Sequence, residues 1–521
     1  MTSKPRNFLP SIADIVFIGI FLFLASGGDG RLLGDADTGY HIRAGEFIID
    51  NGKIPDADIF SFLTPPLPWT LHEWLGEVIM ALVHRLAGIT GIVIMFSFLI
   101  ALSGYLVFTL LLEGKTNLYF SSIAVLLVTL SSASNWLARP HIFTFVLFII
   151  WYHLLSNYQY RERNHLYFLP LIMVIWVNLH GGFILGLILL GIYLFGNLAQ
   201  YCFAAPNNRR QWLDKARRIG LITIVSALVA LFNPYGYDTL LFPFRVVQDK
   251  FLMDSIAEYL SPNFHSILIM PFELLLLTTI AIFAVSSSTV DAIELTLMML
   301  FGHMALFSSR HIPLFAFIAG PILVKHAQLA FESTDGRLIK ILKRRMENLA
   351  AVNQATIRFL WPAFGMAVVL ALVAVGAIKH DFDSNYVPTK AVAFIRQEFI
   401  AGNMFNNDEF GDYIIYAAWP RYRVFIDGRT DMYGASRVKE YLTLSQARDG
   451  WESLIEKYQL TWVFHEPTSM LSKILLERTD WKLVYSDKVA NIFVKSSPLH
   501  ATLIAKYGST PPYKEKSSYT N

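Results

Sequence analysis

Eleven apolar runs set the problem this chain has to solve. They lie near 10–28, 89–112, 117–134, 140–157, 165–180, 182–204, 218–232, 271–287, 290–307, 311–330 and 358–378. A helix of about 20 apolar residues spans a hydrocarbon core of roughly 30 Å; most runs approach that length, and the one at 165–180 is marginal. Inside a bilayer no water can satisfy a bare peptide group, so runs of this kind are driven into helices. With 54% hydrophobic residues in 521 and a mean hydropathy of +0.44, the chain stands well above soluble domains. It is expected to be an α-helical polytopic membrane protein. The net charge of +3 is too small to suggest nucleic acid as a partner, and none is expected. Cys202 is the single cysteine, which excludes an intrachain disulfide and a cysteine-based metal site. The opening "MTSKPRNFLPSIADIVFIGIFLFLASGG" has a basic start and an apolar core. Asp14 interrupts that core and no small-residue cleavage site is clear, so a retained first helix is expected rather than a cleaved signal.

One segment decides the topology. In "HEWLGEVIMALVHRLAG", residues 72–88, Glu73, Glu77 and His84 stand at offsets 0, 4 and 11, on one helical face with apolar residues around the rest. Charge in the body of so short an element favours a helix lying at the interface. With that choice the basic loops, Lys4/Arg6, Lys115, Arg161/Arg163, 207–218 and 337–349, all fall on one side, in agreement with the positive-inside rule. The expected topology has a cytoplasmic N-terminus and about eleven spans. Residues 1–378 form the membrane domain, with a first outer loop at 29–88. From Lys379 the hydropathy drops, and 379–521 reads as a soluble extracytoplasmic α/β domain. In it "YRVFIDGRTD", "LTWVFHEP" and "WKLVYSDKVANIFVKS" are expected strands, and the end "STPPYKEKSSYTN" is an expected disordered tail.

The same topology gathers the polar clusters at helix ends on the outer side: "DADTGYH", "TLHEW", "NWLARPH", "VNLHGG", "FNPYGYD" and "SSRHIP". Ionisable residues at membrane depth are costly, and the default reading is functional. Arg139, His141, Arg310 and His311 supply cations near the bilayer surface, suited to a phosphate or diphosphate headgroup, which Arg can bind bidentately. His72, Glu73 and His180 are further substrate-binding candidates. Each also has a plainer reading, since Arg and His at helix ends snorkel or cap carbonyls. Asp427, Arg429 and Asp431 form either a surface ion pair or part of a face toward the membrane site.

The densest chemistry is "LLGDADTGYHIRAGEF", 32–47, with Asp35, Asp37, His41, Arg43 and Glu46 inside twelve residues. An Asp-x-Asp pair just after the first span, a long first outer loop with an interfacial helix, about eleven spans and a C-terminal outer domain together resemble the GT-C superfamily of membrane glycosyltransferases, with an oligosaccharyltransferase-like architecture. The run "DADTGYHIRAGEFIIDNGKIPDADIFSF…W…HEWLGEV" also resembles a group of bacterial relatives with a similar signature. The resemblance spans the full architecture and is motif-specific in the first ninety residues or so, and in "RPH" and "VFIDGR.D".

The resemblance implies an enzyme of the bacterial inner membrane. It would transfer a sugar from a polyprenyl phosphate or diphosphate donor to a lipid, glycan or protein acceptor on the outer face. Asp37 would act as the general base, with Asp35 and His41 supporting it, and the candidate cations would stabilise the departing phosphate. Some members of the superfamily need a divalent metal and others do not, so Mg or Mn held by Asp37 and His41 stays open. A transporter or flippase would instead place charges in mid-span and carry an inverted repeat, neither of which this sequence shows. A ligase or polymerase of the O-antigen type shares the chemistry but usually lacks a sizeable C-terminal domain.

Overall fold

The computed structural model describes residues 8–28, 30–113, 117–286, 288–333 and 359–513. The basic positions Lys4, Arg6 and Lys115, the 337–349 loop and most of the expected tail lie outside these residues. Up to residue 333 the described chain runs through α1 (Ile12–Ala25), α2 (Asp37–Asn51), α3 (Trp74–Leu111), α4 (Leu118–Ser132), α5 (His141–Arg161), α6 (Phe168–Leu179) and α7 (Ile184–Phe203). It continues through α8 (Pro206–Val229), α9 (Tyr237–Gln248), α10 (Lys250–Ser255), α11 (Met270–Val285), α12 (Ala292–Phe307) and α13 (Ile312–Glu332). A further apolar helix spans Leu360–Ala374. Each apolar run of the sequence falls on a helix. Among the described residues, 5 helical stretches are long and apolar enough to cross a membrane, and α1, α6, α11, α12 and Leu360–Ala374 are shorter apolar helices.

Asp14, which interrupts the first apolar run, is used at the helix start. The Ser11 backbone N–H donates to Asp14 Oδ2 at 2.9 Å and the Asp14 N–H donates to Ser11 Oγ at 3.1 Å, a capping box that satisfies two orphan donors. α3 is 38 residues long but breaks at Gly88, with φ 62° and ψ −158°. That backbone is cheap only for glycine. It separates the charged first half of α3 from its apolar second half, at the point where the sequence placed the end of an interfacial helix.

α2 lies along the first half of α3, and their ionisable faces meet. His41 faces Glu77, Glu46 faces His84 at 3.2 Å, and Asp50 pairs with Arg85 at 2.5 Å. The two backbones approach so closely that a Cβ on Gly45 would run into the Glu77 carbonyl. On the opposite side a Cβ on Gly39 would come within 2.8 Å of the Asp412 carbonyl oxygen. α2 is thus clasped between α3 and the helix Asp408–Ala418, which lies far along the chain.

The C-terminal part carries a four-stranded sheet in the order β1-β2-β4-β3, with β1 (Asn403–Asn406), β2 (Leu460–His465), β3 (Trp481–Ser486) and β4 (Asn491–Lys495). β1 pairs with β2 in parallel, and the other neighbours are antiparallel. β2 and the β3–β4 pair sit where strands were expected. "YRVFIDGRTD" does not join the sheet. The Val424 N–H donates to the Phe60 carbonyl at 3.1 Å, and the Phe62 N–H donates to the Val424 carbonyl at 3.2 Å, so this extended stretch pairs with the first long loop. The Asn406 amide takes the place of a strand ladder on its other side, donating to the Ile426 carbonyl and accepting from the Phe425 N–H, each at 2.7 Å. The apolar core is continuous across residue 378: Ile92, Phe96 and Ile100 of α3 belong to the same buried cluster as Ile395, Ile414 and Val424.

Candidate active site

The loop before α2 folds back on itself. The Asp37 N–H donates to Asp35 Oδ1 at 3.2 Å, so Asp35 takes the capping part and leaves the Asp37 carboxylate free to face elsewhere. Thr38 donates its hydroxyl to the Ala138 carbonyl at 3.0 Å, and the Ala138 N–H donates to the Leu32 carbonyl at 2.9 Å. These bonds bring the α4–α5 loop, with Arg139, against the start of α2.

Arg139 is enclosed by acids. Its Nε donates to Asp35 Oδ1 at 3.2 Å and its Nη2 to Asp35 Oδ2, a bidentate grip. Its Nη1 lies 3.0 Å from Asp37 Oδ2 and 3.0 Å from Glu258 Oε1. Three carboxylates therefore converge on one guanidinium. A divalent metal between Asp35 and Asp37 would have to displace it. Asp37 and His41, the pair considered for Mg or Mn from the sequence, face different partners, Asp37 toward Arg139 and Asp412 and His41 toward Glu73 and Glu77. Glu258 was not anticipated from the sequence. It lies on a single 3-10 turn, held by the Ser308 and Ser309 hydroxyls donating to its carbonyl, and no spacing connects it with the other acids.

Asp37 faces a second carboxyl group. Asp412, fully buried on the helix Asp408–Ala418, hydrogen-bonds Asp37, while both of its oxygens lie near the Gly428 N–H at 3.0 and 3.1 Å. Two carboxyl groups in hydrogen-bond contact share a proton. Burial, the charge of Asp37 and the charge of Asp427 push Asp412 well above the carboxylate range. Burial also raises Asp37, against the pull of Arg139, to about 7. Asp37 is thus a carboxylate whose charge changes near neutral pH. Asp412 was missed because its relation to Asp37 exists only in three dimensions; the "VFIDGR.D" motif marked its partner Gly428 but not the acid itself.

His41, one turn after Asp37, points into another cluster. Its Nδ1 lies 3.0 Å from Glu77 Oε1 and 3.7 Å from Glu73 Oε2. Burial holds its imidazole down to about 3, so it is neutral. Glu73 also meets His180 Nε2 at 3.3 Å and His72 Nε2 at 3.5 Å. Burial alone would raise Glu73, but His72, His180 and His41 hold it well below the usual carboxylate range. The reverse holds for His72, where burial opposes the charge and Glu73 and Asp431 outweigh it.

The remaining candidates lie around these two groups. Arg310 meets the Tyr259 hydroxyl at 3.1 Å and stands over its ring, near enough to Glu258 for the two charges to act on each other. His141 Nε2 is 2.9 Å from the Asn135 carbonyl, and its ring centre is 6.4 Å from that of His180. The His311 Nδ1 atom is buried without a partner. Arg429 does not form the surface ion pair considered from the sequence. It is 2% exposed and binds Asp427 at 2.6 Å and Asp58 at 2.8 Å, roofed by Trp69 at 4.4 Å and Phe60 at 5.0 Å. The cause is the pairing of 424 with the first loop, which carries Asp58 beneath it. Asp431 is not part of that pair and stands close enough to His72 and Glu73 for each to shift its charge balance.

The fold combines several helices long and apolar enough to cross a membrane, a cluster of acids and cations around the start of α2, and a C-terminal part that carries a small sheet. The arrangement is similar to that of the archaeal oligosaccharyltransferase AglB from Archaeoglobus fulgidus, solved with an inhibitory peptide and a dolichol-phosphate. The TM-score is 0.57 at 13% identity, over 87% of this chain and 69% of that one. The apo form of the Archaeoglobus fulgidus oligosaccharyltransferase gives a TM-score of 0.54 at 12% identity, over 94% of this chain and 74% of that one. At these identities the likeness shows a shared fold with the archaeal oligosaccharyltransferase. Neither a protein-family model nor a curated protein sequence matches the chain.

Proposed function

We propose that this chain is a membrane glycosyltransferase that moves a sugar from a polyprenyl phosphate or diphosphate to an acceptor hydroxyl of a lipid, glycan or protein. Asp37 carries the proposal: a mostly buried carboxylate, raised to about 7, beside a cation and in a fold shared with an oligosaccharyltransferase. A general base works best when its pKa lies near the working pH. Asp37 takes the acceptor's proton as the acceptor oxygen attacks the anomeric carbon, and the lipid phosphate departs with the electrons of the broken glycosidic bond. Asp412, hydrogen-bonded to Asp37, holds it in place. Arg139 tunes Asp37 and fixes Asp35. Arg310, less engaged with carboxylates, is the cation assigned to the departing phosphate, with His141 and His311 assigned to it as neutral hydrogen-bond donors. The dolichol-phosphate and peptide bound by AglB support a lipid-linked donor and a separate acceptor here. The protein is assigned to a bacterial inner membrane, N-terminus in the cytoplasm and the 379–521 part outside.

The test is a comparison of lipid extracts from wild-type and deletion strains by mass spectrometry. Accumulation of a polyprenyl-linked sugar in the deletion strain, reversed by the intact gene, is expected. Identical lipid-linked sugar pools, with no glycoconjugate lost, would remove the assignment.

A further inference from the structure

We propose that His41, Glu73 and Glu77 form a site for a single divalent transition-metal ion of the zinc class, separate from the clamp around Arg139. The proposal does not depend on sugar transfer. One ligand atom from each of the three residues lies within 4.8 Å of the others. Donors bound to zinc at about 2.0–2.2 Å in tetrahedral geometry stand about 3.4 Å apart. The distances from His41 Nδ1, 3.0 Å to Glu77 and 3.7 Å to Glu73, bracket that spacing.

A second observation points to a ligand. Glu77 is 1% exposed and its Oε2 has no hydrogen-bond partner. A buried carboxylate oxygen without a donor is costly. His41 Nδ1 stands between Glu77 Oε1 and Glu73 Oε2, and no hydrogen-bond donor reaches Glu77 Oε2. A cation among them removes the deficit.

The surroundings orient the ligands as metal sites require. The Gly182 N–H donates to His180 Nδ1 at 2.9 Å, which fixes the proton of a neutral His180 on Nε2. That N–H points at Glu73 Oε1 and holds this carboxylate with its other oxygen toward His41. The Trp176 indole N–H donates to Thr144 Oγ1, which in turn contacts His180 Nδ1, so the support is itself anchored. An imidazole nitrogen with two carboxylates favours zinc over magnesium or calcium, which prefer oxygen alone. Asp37 is not one of the ligands, being engaged by Arg139 and Asp412. Three protein ligands leave one position open for water or a hydroxyl.

The experiment uses the full chain purified in detergent after loading with Zn²⁺ and washing with a weak chelator. Elemental analysis should find a single zinc per chain in the wild type and in Asp37→Asn, with at least a tenfold loss in Glu77→Gln and in His41→Asn. X-ray absorption at the zinc edge of the wild type needs no variant and should show nitrogen and oxygen ligands at about 2.0–2.1 Å with imidazole scattering. Wild-type protein that retains no zinc overturns the proposal. So does zinc bound through sulfur, or full zinc retention by both variants. Because no outcome is read from sugar transfer, failure here leaves the proposed enzymatic role standing, and failure of that role leaves the metal site standing.

Discussion

Replacing Arg139 by glutamine tests how Asp37 is tuned. Asp37 must be ionised to accept a proton, so activity falls as the pH drops through its value of about 7. Arg139 lowers that value from 3.0 Å, and Asp35 and Glu258 raise it. The Arg139→Gln side chain keeps a hydrogen-bond donor but removes the positive charge, and it leaves the two neighbouring acids uncompensated. The direction is therefore upward. Two unit charges about 4 Å apart interact by about 4 kcal/mol at an effective dielectric of about 20, equivalent to about 3 pH units at the outside, and an opposite charge at this range commonly shifts a carboxyl by about 1–3 units. At pH 7 the ionised fraction of Asp37 would then fall by about 5- to 500-fold and return near pH 8–10. The assay is transfer from radiolabelled polyprenyl-phosphate-linked sugars by protein in nanodiscs, followed across pH at saturating donor. An acidic limb displaced to higher pH, with activity recovered in alkali, is the expected result. A limb that stays near pH 7 while the KM for donor rises at every pH would refute the tuning role and return Arg139 to the phosphate.

Three further outcomes follow from the structure. Arg310→Ala should raise the KM for the lipid-phosphate donor by at least tenfold, with the protein still in the membrane; unchanged KM and kcat would make Arg310 an interfacial anchor. Arg429→Met should destabilise the chain by about 3–5 kcal/mol, because Asp58 and Asp427 remain buried without their cation, and a thermal-unfolding midpoint equal to wild type would contradict that origin. In a Cys202→Ser background, single cysteines in 207–218 should resist an impermeant thiol reagent in intact cells and cysteines after 385 should react; labelling of 207–218 from outside would reverse the proposed orientation.

The sequence carries the helical framework because hydropathy is a local property: the runs at 89–112 and 311–330 declare themselves without reference to any other residue. The crowded segment 32–47 was legible for the same reason, since charge next to an apolar run stands out. Its connections were not. Asp412 and Glu258 become site residues only when α2, the helix Asp408–Ala418 and the 257–259 turn meet, and no period or spacing in the chain links them. Arg139 was legible as a cation at a helix end, but three acids around it were not. "VFIDGR" has the composition of a strand, yet the Asn406 side chain bonds the backbone at Phe425 and Ile426 where a strand ladder was expected. A side chain substituting for a ladder leaves no trace in hydrophobic alternation. The shared helical face of Glu73, Glu77 and His84 is legible from spacing alone, and α2 supplies the partners that make such a face tolerable.

The most direct measurement of the central claim is the transfer rate of Asp37→Asn. Asn keeps the size of the side chain and a hydrogen-bond acceptor, and the cap of α2 rests on Asp35, so the fold should survive. Loss of a general base costs about 10²–10⁴-fold in rate. The expected result is a folded, membrane-inserted protein that transfers sugar from polyprenyl-phosphate donors about 10²–10⁴-fold more slowly than wild type, while Asp35→Asn loses less. Transfer by Asp37→Asn at the wild-type rate would contradict the assignment of Asp37 as the base.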